Sequence, residues 1–205
     1  MEWLGQYIQS FKARFRDDLY IENGGDFYIT DNTDSGDYFK IETVTDGVTT
    51  ISTTDDGGAA AHLNIEADGH VEFDGCAVGF DRILEVDDDD VSIDFKTGNK
   101  AHLDMTGGSI SGNLTLLFPD VSGNFLLVIQ QDGSTRTIGT WVVRDAAGNT
   151  ANNDGDAAGT IRWQGGDGEG SNPPDLTDGG NKRDIISFYW DADEEVCYGI
   201  ASLNF

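Results

Sequence analysis

The sequence predicts an all-β protein made of short-strand β-sandwich or fibre modules. Three observations support this. Asp-Gly and Gly-Gly pairs, which favour tight turns, recur between short apolar runs. The 205-residue chain contains 27 Gly but only 3 Pro, a composition that suits short strands and turns. Finally, two alternating strands, 181–190 and 196–205, flank the acidic segment 191–195 and predict a closing β-hairpin.

This closing hairpin is apolar on both faces. Alternation places Ile186, Phe188 and Trp190 on one face of its first strand, and Ile185 and Tyr189 on the other. A hairpin with one buried face is normally polar on its opposite side. We therefore expect copies of the chain to cover the second face in a homotrimer. The residues expected at this trimer interface are Ile186, Phe188, Trp190, Tyr198, Leu203 and Phe205.

The C-terminal half of the chain contains an ordered set of motifs. They are Gly112-Asn113-Leu114-Thr115-Leu116-Leu117-Phe118-Pro119, Gly123-Asn124-Phe125-Leu126-Leu127-Val128, Trp163, Asn181-Lys182-Arg183-Asp184-Ile185-Ile186-Ser187-Phe188-Tyr189-Trp190 and Tyr198-Gly199. Together they resemble a C-terminal module of bacteriophage tail fibres and other virion proteins, particularly those of marine phages. The resemblance implies a trimeric virion structural protein and leaves its position on the particle open. We also expect a protein that is made in the host cytoplasm and is not an enzyme.

Three functions remain open at this stage. The leading interpretation is a homotrimeric short tail fibre or fibre-like appendage whose C-terminal module contacts the host surface, including its glycans. The alternative is a capsid decoration (cement) protein that stabilises the shell. A carbohydrate-active enzyme is the third, but residues 108–112 have Ile110 where a nucleophile elbow needs Ser. Carboxylates are so abundant that no acid pair stands out.

The charge excludes some partners. With 38 Asp and Glu against 12 Lys and Arg, the formal net charge is −26, which disfavours nucleic acid and anionic membranes. We also expect no signal peptide and no membrane span, because no apolar run is long enough. Cys76 and Cys197 are far apart in the sequence and predict free thiols.

Residues 1–18 predict an amphipathic helix, because aromatic residues recur at every fourth position. We expect this helix to attach the protein to other virion proteins. Lys12, Arg14 and Arg16 either complement the helix dipole or meet an acidic partner surface. The residues expected to make the attachment are Trp3, Leu4, Tyr7, Ile8, Phe11 and Phe15.

Two β modules are expected after this helix. Residues 19–86 form a thin β-rich module and residues 91–205 form the C-terminal β module, with the boundary at the acidic run Asp87–Asp90. That run is either a solvated loop or a Ca²⁺ site. Residues 152–156 and 165–170 resemble Ca²⁺ loops only incompletely. We therefore expect weak Ca²⁺ binding at most, and no other cofactor.

Two tryptophans flank the long loop rich in Gly, Asn and Asp. Trp141 and Trp163 could face a ligand, because sugar rings stack on aromatic faces. They could equally belong to the core, because Val142, Val143 and Ile161 lie beside them in the same strands.

Overall fold

The computed structural model describes residues 19–21, 24–131, 134, 136–164 and 172–205, and the all-β prediction is confirmed there. These residues form twelve strands in three sheets, with two short 3-10 turns at Thr45–Gly47 and Asn153–Gly155. The predicted N-terminal helix, residues 1–18, lies outside the described residues. The chain divides into two compact units, the first ending at Glu72 and the second spanning Phe73–Phe205.

The first unit contains one antiparallel sheet in the order β1-β2-β3. Its strands are β1 (Phe27–Thr30), β2 (Tyr38–Thr43) and β3 (Thr49–Thr54). None of its described residues is buried, so this module is as thin as its sparse apolar residues predict. Residues 62–66 and 71–73 alternate in polarity but pair with no neighbouring strand.

The second unit contains two sheets. The larger has the strand order β10-β12-β11-β8-β6-β4, and the smaller has the order β5-β7-β9. The strands are β4 (Arg82–Val86), β5 (Val91–Asp94), β6 (Lys100–Asp104), β7 (Ile110–Leu117), β8 (Gly123–Gln130), β9 (Ile138–Arg144), β10 (Ile161–Trp163), β11 (Arg183–Asp191) and β12 (Val196–Ser202).

From β4 to β9 the chain crosses from one sheet to the other after every strand. As a result β4, β6 and β8 pair in parallel in the larger sheet, and β5, β7 and β9 pair in parallel in the smaller one. These three coils form a short two-sheet solenoid. The hairpin β11–β12 then completes the larger sheet, because β11 pairs antiparallel with β8 from Arg183 to Trp190.

The core lies between these two sheets and is rich in aromatic side chains. Phe95 and Phe118 follow β5 and β7 at equivalent corners of successive coils, and their rings stack with centroids 5.3 Å apart. Trp190 stacks on Phe118 from the closing hairpin, with centroids 5.0 Å apart and ring planes 10° from parallel. The hairpin therefore shares the hydrophobic core of the coils it follows.

The predicted module boundary at residues 87–90 is wrong. β4 precedes the acidic run and pairs with β6, so the second unit begins before the boundary.

The acidic run Asp87–Asp90 connects the two sheets. Its carboxylates tie the first coil to the second: Asp87 accepts from the Gly107 amide at 3.1 Å, Asp89 from the Ser111 hydroxyl at 2.8 Å and Asp90 from the Asn113 amide at 2.7 Å. Three of the four aspartates thus stabilise the fold.

The two cysteines provide a simple test of this packing. Cys76 is exposed and Cys197 is buried, and neither forms a disulfide. Burial raises the pKa of the Cys197 thiol well above its ordinary value, which suppresses the reactive thiolate. We expect a thiol reagent to label one cysteine per native chain and two in denaturant. The variant Cys76→Ser should lose all native labelling. Rapid labelling of both native cysteines would contradict the buried position of β12.

Candidate functional site

One face of the closing hairpin is buried within its own subunit. Ile186, Phe188 and Trp190 are 0%, 2% and 1% exposed, and they lie on the side of the sheet that contains the core. The prediction that these three residues form the trimer interface is therefore wrong. The solenoid coils of the same chain already cover them, which the alternation pattern alone could not reveal.

The opposite face of the hairpin is exposed. Tyr189 on β11 and Tyr198 on β12 are cross-strand partners with stacked rings, centroids 6.2 Å apart, and they are 44% and 38% exposed. Ile200 is 49% exposed, and beyond the strand Leu203 and Phe205 are 40% and 61% exposed. Of the predicted interface residues, Tyr198, Leu203 and Phe205 remain accessible to a partner.

This exposed apolar surface continues across the whole larger sheet. Leu126 and Val128 of β8 lie beside β11 and are only partly covered, and Leu84 and Val86 of the edge strand β4 are 58% and 63% exposed. We call this side of the sheet the outer face. Its apolar residues are Leu84, Val86, Leu126, Val128, Ile185, Tyr189, Tyr198 and Ile200.

Leu84 and Val86 were not among the predicted interface residues, although a signal was present. The segment Arg82–Val86 alternates like a strand, but the sequence placed it at the end of the thin first module, directly before four aspartates. The outward side of the smaller sheet differs: it is mainly polar, with Ser92, Asn113, Thr115 and Thr140 at successive strand positions. An apolar surface of this extent on only one sheet is typical of an interaction surface.

Basic side chains occupy the same outer face. Arg82 and Lys100 are register partners on β4 and β6, Arg183 lies on β11, and Arg162 lies on β10 next to Tyr198. Arg162 pairs with the Asp156 carboxylate at 2.5 Å. Within the described part of the chain, Arg82, Lys100 and Arg183 have no carboxylate oxygen within 4.0 Å. They contact His102, the Phe80 ring and Gln130 instead.

His102 lies on the outer face, on β6 beside the edge strand β4, and is only 9% exposed. Burial, followed by the nearby charges of Arg82 and Arg183, lowers the pKa of its imidazole below the ordinary value. The imidazole is therefore neutral at pH 7, and its Nδ1 accepts a hydrogen bond from Arg82 Nη1 at 3.0 Å. His102 thus holds Arg82 against the sheet without adding a positive charge.

Trp141 and Trp163 belong to the core, which is the second of the two alternatives that the sequence left open, although an edge of the Trp141 ring also lines a surface cavity. They are 9% and 8% exposed, and their rings meet edge to face with centroids 5.2 Å apart. Trp163 also lies against Gly199, where a Cβ would come within 2.7 Å of the indole ring. Close packing on a glycine explains why both rings fit between the sheets.

Two surface cavities in the second unit could hold a small ligand. One of about 390 Å³ is lined by Arg136, Trp141, Pro173, Asp175 and Asp178. The other, of about 540 Å³, lies above the β10–β12 edge of the outer face, against Arg162, Tyr198 and Ile200. The first offers carboxylates and an indole edge, whereas the second offers mainly apolar and aromatic surface.

The incomplete Ca²⁺ pattern at residues 152–156 makes contacts within the fold. Asn153 is buried, and its backbone amide donates to the Glu195 carbonyl in the hairpin turn. The second pattern, residues 165–170, lies outside the described residues. A separate cluster of Asp34, Asp37 and Asp56 brings carboxylate oxygens within 4.8 Å of one another in the first unit.

The pKa of Asp37 in this cluster lies above its ordinary value. A hydrogen bond from the Asp56 amide lowers it, but desolvation and the charges of Asp55, Asp34 and Asp56 raise it by more. Carboxylates that repel one another in this way suit a cation. The same geometry also occurs in acidic turns that hold none.

The predicted attachment residues Trp3, Leu4, Tyr7, Ile8, Phe11 and Phe15 all lie outside the described residues. In the part of the chain that the structure describes, no helix has the length and apolarity required to cross a membrane. No protein-family model, curated protein or solved structure matches the chain.

Proposed function

We propose that this chain is a structural protein of a bacteriophage virion, a homotrimeric short tail fibre or fibre-like appendage. Residues 1–18 attach it to other virion proteins, and the C-terminal unit points outward and contacts the host surface. The observation that supports this best is the outer face. A sheet that is buried on one side by its own subunit and apolar on the other needs a partner over a wide area.

The phage-like motifs support the proposal through their positions in the fold. Leu114, Leu116 and Phe118 from the first motif, Phe125 and Leu127 from the second, and Ile186, Phe188 and Trp190 from the hairpin all belong to one core. The motifs therefore consist of residues that build the core of the solenoid coils and the hairpin. They do not mark residues that bind a ligand. Such a signature fits a module that phages use on several kinds of appendage.

A capsid decoration protein is the second candidate. The residues that the structure describes contain no repeated shaft, which favours a protein seated close to the surface of the shell. Both candidates need the same trimer and the same attachment, and they differ only in their position on the particle. A carbohydrate-active enzyme is the least favoured, and the cavity beside Trp141, Asp175 and Asp178 is where its chemistry would have to occur.

Incorporation into particles tests the proposal. A tagged full-length chain and a tagged chain lacking residues 1–18 should be supplied separately to phage-producing cells, and purified particles should be probed for the tag. We expect the full-length chain in the particles and the deletion variant only at background level, because the aromatic stripe that docks the protein is missing.

The matched control replaces Lys12, Arg14 and Arg16 by glutamine and retains the aromatic stripe. If less of this control is incorporated, the three basic side chains also contribute to attachment. Absence of the full-length chain from particles would overturn the proposed function. Equal incorporation of the deletion variant would overturn the attachment role alone. Release of oligosaccharide from host polysaccharide would instead support the enzyme.

A further inference from the structure

We infer that the outer face of the larger sheet is the surface through which one copy of this chain binds the next, and that it docks onto an acidic surface of that neighbour. This inference rests on the proposed homotrimer and specifies its interface. The surface replaces the interface predicted from the hairpin alone, since it also includes β4, β6 and β8.

The apolar part of the outer face provides the area. Register partners place Arg82, Lys100, Leu126, Ser187 and Ile200 in one row across five adjacent strands. At about 4.8 Å between strands, such a row spans about 19 Å. Leu84 and Ile200 lie near its opposite ends and are 58% and 49% exposed. A patch of this width is large enough for the apolar centre of a standard protein interface.

The charge of the face identifies its occupant. Arg82, Lys100 and Arg183 project from it without a carboxylate partner among the described residues, in a chain whose net charge is −26. A surface that covers them should be acidic, and every further copy of this chain presents such surfaces. One lies nearby on the same unit, where Asp88 to Asp90 are exposed.

The same charges decide the symmetry. In a two-fold dimer the face would pack on itself, so Arg82, Lys100 and Arg183 would meet the same mainly basic and apolar face, where the Asp104 carboxylate already accepts from the Thr106 amide. In a cyclic trimer each face meets a different surface of the next copy, so that cations can meet carboxylates. The arrangement of charge on the outer face therefore favours a three-fold ring over a two-fold dimer.

The experiment compares two substitutions that each add lysine at an exposed apolar position. The test variant, Leu84→Lys with Ile200→Lys, removes apolar contacts from both ends of the face and keeps its positive sign. The matched control, Val121→Lys, changes a residue that is 63% exposed in the connection between β7 and β8. The mass of each full-length protein is measured by light scattering at physiological salt, and native folding is checked by near-ultraviolet circular dichroism.

For the wild type and the control we expect about 66 kDa, three times the 22.1 kDa of one chain. For the folded test variant we expect 22.1 kDa, because losing two apolar anchors should raise the dissociation constant at least about a hundredfold. A test variant that stays trimeric would overturn the inference and leave the proposed function standing. A monomeric wild type would overturn the homotrimer itself.

A second measurement keeps the inference testable if the variant misfolds. A zero-length reagent that joins amines to carboxylates, applied to a mixture of isotopically light and heavy wild-type chains, should link Lys100 of one copy to an Asp or Glu of another. Absence of any such intermolecular link at Lys100 would overturn the inference. The chain lacking residues 1–18 should remain trimeric. If it dissociates, that segment holds the copies together and the outer face does not.

Discussion

Replacing Trp190 by alanine is expected to lower the free energy of unfolding of the second unit by about 3–5 kcal/mol, the range for removing a buried aromatic side chain. Trp190 is 1% exposed and stacks on Phe118. Its indole N–H also donates to the Pro119 carbonyl at 2.9 Å, so the substitution leaves both a cavity and an unpaired acceptor. Chemical denaturation followed by tryptophan fluorescence measures the loss.

The matched control is Tyr189→Ala, one residue earlier on β11 but on the outer face and 44% exposed. Within an isolated subunit we expect this change to cost less than about 1 kcal/mol. The large loss at Trp190 should not depend on protein concentration, because all its contacts come from the same chain. A loss at Trp190 that vanishes on dilution would show that the buried face is formed between subunits and would restore the original trimer prediction.

Replacing Asp184 by alanine is expected to lower the free energy of unfolding by about 2–4 kcal/mol, because it removes a buried carboxylate and leaves three part-buried donors without their acceptor. The Asp184 side chain is fully buried, and it accepts hydrogen bonds from the Thr177 amide and hydroxyl, both at 2.7 Å, and from the Asn204 amide at 3.1 Å. One carboxylate thus fastens the loop before β11 and the C-terminal residues to the same strand. Chemical denaturation measures the stability, and digestion with a carboxypeptidase measures release of the C-terminus.

The control for this prediction is Asp178→Ala, an exposed aspartate one residue after Thr177. It removes the same charge and leaves the hydrogen bonds of Asp184 in place. The free energy of unfolding should therefore change by less than about 0.5 kcal/mol. Asp184→Asn, which keeps one acceptor oxygen, should fall between the two. Equal stability of the Asp184 and Asp178 variants would contradict the fastening role.

Local sequence patterns mark most individual strands of the second unit. Phe125–Gln130 illustrates why: its residues alternate between core and outer face, so a period of two marks the strand without knowledge of its neighbours. The same pattern is compatible with parallel and antiparallel pairing. Nothing in it distinguishes a hairpin from a crossing to a second sheet, so the solenoid coils could not be predicted from alternation.

The candidate site was predicted only in part, for a related reason. Apolar residues do lie on both sides of β11, and the structure buries one side in the core and leaves the other exposed. Which side faces the core depends on long-range packing, such as the stack of Trp190 on Phe118. The Trp190 indole also donates to the carbonyl of Pro119, which is 71 residues away in the sequence. Similarly, Trp163 is buried because Gly199 leaves room for it on another strand. Contacts of this kind leave no local pattern.

In the proposed trimer, copies of this chain cover the outer face of one another's larger sheet. The most direct test is the mass of the purified full-length protein in solution, compared with that of the folded Leu84→Lys, Ile200→Lys variant. We predict about 66 kDa for the first and 22.1 kDa for the second. A wild-type mass of 22.1 kDa, with Leu84, Tyr198 and Ile200 open to solvent, would contradict the claim.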